Sequence, residues 1–101
     1  MRYEVKSNLK PHEAIAQALT YFGPKGLGLV VKQRQMDYLL LEGGGGYVAI
    51  AVRRSPDEGD EISIELESRE WDFHVQKFMG TVVSKQKFWN LLTSWFKSRR
   101  R

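Results

Sequence analysis

The chain has 101 residues, one domain of ordinary size, and its 42% apolar content lies in the globular range. It has no cysteine, which excludes a disulfide scaffold, a thiolate zinc site and a cysteine nucleophile. The net charge of +4 hides a segregation: residues 55–72 hold eight acids against one base, and residues 73–101 hold seven bases and no acid.

Residues 2–9 open with alternation, Tyr3, Val5 and Ser7 on one side and Glu4 and Lys6 on the other, which predicts a short strand. There is no apolar signal segment here, and no run approaches the ~18 apolar residues of a membrane span, so a soluble cytoplasmic protein is expected. Pro11 suits a first helical turn and Glu13 the positive end of the helix dipole. Ile15, Ala18, Leu19 and Phe22 keep helical spacing until Gly23-Pro24 stops the helix. Leu27, Leu29 and Val31 alternate with Val30, Lys32 and Arg34 in the next strand, and Gln35-Met36-Asp37 turns into a strand at 38–42.

Gly43 to Gly46 read as a hairpin tip, because glycine accepts positive φ and both flanks are apolar. The strand that follows, 47–54, is apolar on both sides: Val48, Ile50 and Val52 opposite Tyr47, Ala49 and Ala51. That predicts a central strand whose small outer face suits a dimer interface. Residues 55–60 are a loop by composition. The strand at 61–69 turns Ile62, Ile64 and Leu66 to a core and Ser63, Glu65, Glu67 and Arg69 away. From Trp71 the period becomes helical: Trp71, Val75, Phe78, Val82, Trp89, Leu92 and Phe96 form one stripe. Gly80 to Val83 are poor helix formers, so the stripe is one long helix or two joined near Gly80–Ser84. Residues 1–96 thus form one α+β domain and 97–101 a basic tail.

The motifs that invite chemistry have plainer readings beside them. Gly23-Pro24-Lys25-Gly26-Leu27-Gly28 runs from helix into strand, the reverse of a phosphate loop, and reads as a helix stop. His12 and His74 are isolated, and the acids of 57–61 lack calcium-loop spacing, so no metal site is predicted. No nucleophile or acid–base pair stands out, and the reading leans away from an enzyme with no cofactor implied. Arg69-Glu70-Trp71-Asp72-Phe73 is the densest cluster: a pocket rim with Trp71 as wall, or the anchor of the last helix with Trp71 and Phe73 packed and the acids on its dipole.

The order strand, helix, four antiparallel strands, helix resembles the β-α-β4-α arrangement of TATA-binding-protein-like folds. It also resembles a reduced helix-grip protein of the START and SRPBCC type. Tyr21-Phe22-Gly23-Pro24-Lys25-Gly26 and Arg69-Glu70-Trp71-Asp72 carry the likeness locally. It implies a sheet gripping a C-terminal helix, often around an apolar ligand, and it transfers no catalytic residue. The leading expectation is therefore a non-enzymatic binding domain. Leu41, Ile50, Ile64, Leu66, Trp71, Val75 and Phe78 would line the ligand or partner site, with Arg69 at its rim. One alternative is a self-associating structural or adaptor protein, a homodimer through Tyr47, Trp89 and Trp95. The other is nucleic-acid binding through Lys85, Lys87 and Arg99 to Arg101.

Overall fold

The computed structural model describes residues 1–54 and 61–83. They form an α+β domain: β1 (Arg2–Ser7), α1 (Pro11–Phe22), β2 (Val30–Arg34), β3 (Tyr38–Gly43), β4 (Gly46–Arg54), β5 (Ile62–Arg69) and α2 (Asp72–Val82). The strands make one five-stranded antiparallel sheet in the order β1-β5-β4-β3-β2. The strand that is apolar on both sides, β4, is the middle one.

Antiparallel pairing aligns the inward residues level by level. Val5 sits opposite Ile64, Ile64 opposite Val52, Ile50 opposite both Leu66 and Leu39, and Val48 opposite Leu41. The helices cover this side. Ala14, Ile15, Ala18 and Phe22 of α1 and Val75, Phe78 and Val82 of α2 join the strand residues in one core. The rings of Tyr21, Phe22 and Phe78 lie 4.9–5.6 Å apart, centre to centre, and lock the two helices together.

Local chemistry sets the element ends. The Glu13 carboxylate accepts the Lys10 N–H at 2.9 Å, a tighter role than the dipole complement expected of it. After α1, Gly23 N–H donates to Leu19 O, Leu27 N–H to Tyr21 O and Leu29 N–H to Phe22 O. Most of the amides that a phosphate loop would offer an anion are thus spent on carbonyls of the helix end and of Gly23, which accepts from Gly26 and Gly28. They also delay the next strand, which begins at Val30 rather than Leu27. A bulge between Val31 and Gln33 interrupts this edge strand and discourages further pairing along it.

The glycine run is a two-residue hairpin. Gly43 pairs with Gly46, and Gly44 and Gly45 turn the chain with φ of 58° and 80°, the primed-turn geometry. The stripe of the last helix holds through Trp71, Val75, Phe78 and Val82. Its continuation through Trp89, Leu92 and Phe96, the choice between one helix and two, the loop 55–60 and the tail 97–101 lie outside the described residues.

Candidate interaction surface

Six of the eight residues expected to line a ligand site are core residues. Leu41, Ile50, Ile64, Leu66, Val75 and Phe78 are each at most 1% exposed and pack on one another between sheet and helices. Trp71 packs beside them, and its Nε1 donates to Gly43 O at 2.8 Å, pinning the glycine hairpin from the helical side. Arg69 is not with them. It pairs with Tyr47 at the end of β5 and lies on the opposite face of the sheet. Between the two, Glu70 adopts φ 71° and redirects the chain, so neighbours in sequence end on different layers. Phe73 does not anchor the helix start either: it is 62% exposed, with Lys77 Nζ 5.2 Å from its ring centre.

Among the described residues, no helix covers the other face of the sheet. The register composes it in levels that run across the strands. One level reads Arg2, Glu67, Ala49, Leu40; the next reads Glu4, Glu65, Ala51, Tyr38. Beyond these lie Lys6, Ser63 and Arg53 at one end and Arg69, Tyr47 and Glu42 at the other. Ala49 and Ala51 are too small to fill their positions, and they floor a groove of about 430 Å³ walled by Arg2, Glu4, Tyr38, Glu65 and Glu67. A second hollow of about 720 Å³ lies beside the hairpin, between Val30, Lys32, Tyr47 and Arg69.

The charges in the groove are organised. The Glu67 carboxylate accepts Arg2 Nε–H at 2.8 Å on one oxygen and the Tyr47 hydroxyl at 2.9 Å on the other. These two bonds, that from Arg2 first, hold Glu67 below the usual carboxylate range. The same bond holds Tyr47 above its ordinary value, because its phenol proton is engaged. Arg53 Nε stands 3.6 Å from Glu65. One polar group on this face has no bond among the described residues: Ser63 is 6% exposed, and its Oγ lacks a partner.

Of the three interface residues expected, Tyr47 lies on this face, and Trp89 and Trp95 fall outside the described residues. Arg2, Glu4, Tyr38, Glu65 and Glu67 come together through strand pairing and not through any local motif. The signal was present: a two-residue turn fixes register, and counting back from Gly43–Gly46 puts Leu40 opposite Ala49 and Tyr38 opposite Ala51. No known protein family matches the chain, and no curated protein is similar to it in sequence.

Proposed function

We propose that the chain is a non-enzymatic protein-interaction domain that works through the sheet face opposite its described helices, within a soluble cytoplasmic protein. One observation carries this reading. The face has the anatomy of an interface: a centre of Ala49, Ala51, Leu40 and Tyr38, all half-buried, ringed by charges of both signs. The helix-grip resemblance enters as architecture alone, with helices clamping one sheet face and leaving the other to a partner. An apolar ligand between the layers would have to displace side chains that already fill the core.

Chemistry and charge argue the same way. Glu67 is held ionised by its two donors, the opposite of what a general acid needs. Glu4, Glu42, Glu65 and Glu67 stand against Arg2, Lys6, Lys32, Arg53 and Arg69, a balance suited to a protein surface rather than a phosphate backbone. The nucleic-acid alternative through Lys85, Lys87 and Arg99 to Arg101 rests on residues outside those described.

A photo-crosslinking amino acid placed at Tyr38, or at exposed His12 as control, tests the reading in producing cells. Protein adducts are expected from position 38 and not from position 12, and Ala51→Arg, which fills the groove, should abolish them. Equal adducts from both positions, or adducts indifferent to Ala51→Arg, would refute it.

A further inference from the structure

We infer that the occupant of the open face is a second copy of this chain, packed face to face about a two-fold axis running across the strands between the Ala49 and Ala51 levels. This rests on the reading of the open face as an interaction surface. It follows from how the levels exchange.

A two-fold axis in the interface plane, perpendicular to the strands and midway between those levels, turns each level onto the other, strand by strand. On β4, Ala49 meets Ala51 of the second copy, small against small, so the two backbones approach closely. On β3, Leu40 meets Tyr38 of the copy and apolar surface is covered on both sides. On β1, Arg2 meets Glu4 of the copy and Glu4 meets its Arg2, two opposite-charge contacts from one operation. On β5, Glu65 meets Glu67 of the copy. Each has its own cation already, Arg53 at 3.6 Å and Arg2 at 2.8 Å, so this level is compensated within each chain.

The outer levels exchange as well. On β5 the Ser63 level comes to face that of Arg69 of the copy. Arg53 comes to face the ring of the copy's Tyr47, a cation–π arrangement. Stacked sheets lie about 10 Å apart and cross at angles up to about 30°. Levels lie about 7 Å apart along a strand, so at β1, about 10 Å from β4, the Arg2–Glu4 exchange requires the two sheets to cross at the shallow end of that range, under about 20°. A foreign partner would have to reproduce this alternation of sign and size; the chain supplies it to itself.

Sedimentation of the purified full chain across a wide concentration range tests the inference, with circular dichroism confirming that each variant folds. The wild type should form a dimer and Ala51→Arg should remain monomeric. Arg2→Glu and Glu4→Arg each turn two attractions into two repulsions, and each should weaken self-association about tenfold or more. Mixed in equal amounts the two variants should pair with each other, because β1 of the first then presents acids at both levels and β1 of the second presents bases at both. A wild type that stays monomeric would refute the second copy, while cross-links from position 38 to a different protein would leave the open-face reading standing. A dimer untouched by Ala51→Arg, or a mixture that fails to pair, would refute this two-fold arrangement.

Discussion

Adding one methyl group at successive glycines of the hairpin should produce a steep gradient in stability. At Gly45 a Cβ meets nothing within 4 Å, and the only cost is the positive φ of 80°. That conformation costs an L-residue about 1–2 kcal/mol. At Gly44 the same conformational cost is joined by a Cβ 3.0 Å from the Trp71 ring, which must yield by a few tenths of an ångström. At Gly46 the Cβ would stand 1.9 Å from Arg69 O and 2.8 Å from Glu70 Cβ, because the end of β5 crosses directly over this residue. Side-chain rotation gives no relief from a backbone oxygen. The strand ends must separate, which endangers the Gly43–Gly46 and Tyr47–Arg69 pairs. Overpacking of ~1–3 kcal/mol plus one or two lost backbone hydrogen bonds at ~1 kcal/mol each comes to about 3–4 kcal/mol. At ~4–8 °C per kcal/mol for a domain of this size, Gly45→Ala should lower Tm by roughly 5–10 °C and Gly46→Ala by about 15 °C or more. Urea and thermal unfolding followed by circular dichroism would measure the series. Gly46→Ala as stable as Gly45→Ala would refute the close approach of β5 to the hairpin.

Phe78→Ala opens the aromatic contact between α1 and α2 and should cost about 3–5 kcal/mol by equilibrium unfolding; a loss below ~1 kcal/mol would mean Phe78 does not fill the core. The Arg2–Glu67–Tyr47 network predicts an acid limb in stability. Glu67 has a native pKa below its unfolded value of about 4.5, so its contribution is full above that value and is lost as pH falls through the lower native one. Glu67→Gln should flatten this limb, and superimposable pH profiles would count against the network. Tyr47 should ionise later than a free phenol in an absorbance titration, and removal of Glu67 should bring it back.

Much of the fold was legible because strands and helices write different periods. Alternation placed Ile62, Ile64 and Leu66 inward and Glu65 and Glu67 outward, and the glycine run located the central hairpin. Alternation says which residues face a layer, not how full the space beyond them is, and so it does not show that Ile50, Leu66, Val75 and Phe78 lie buried in one core. The cluster Arg69 to Phe73 misled for another reason. Its compactness in sequence assumes regular backbone, and one left-handed residue, Glu70, sends Arg69 to the outer face and Trp71 under the hairpin. The open face was the least legible part, because its residues come from four strands and meet only through register. Ser63 is the extreme case: an outward position by alternation, yet 6% exposed.

The place of β1 in the sheet bears on the order of folding. Strands β2 to β5 follow one another as a meander, and each can pair with a neighbour close in sequence. β1 must instead find β5 across a long loop, with Arg2 and Glu67 separated by 65 positions. Closing that loop is the entropically demanding step, so β1 is expected to dock after the meander, with its amides the later ones to gain protection in pulsed hydrogen exchange. Arg2 and Glu4 ride on β1, and the charge pattern of the open face is therefore complete only when the last strand has arrived. Before β1 docks, β5 has a bare edge and the sheet face lacks its outermost strand.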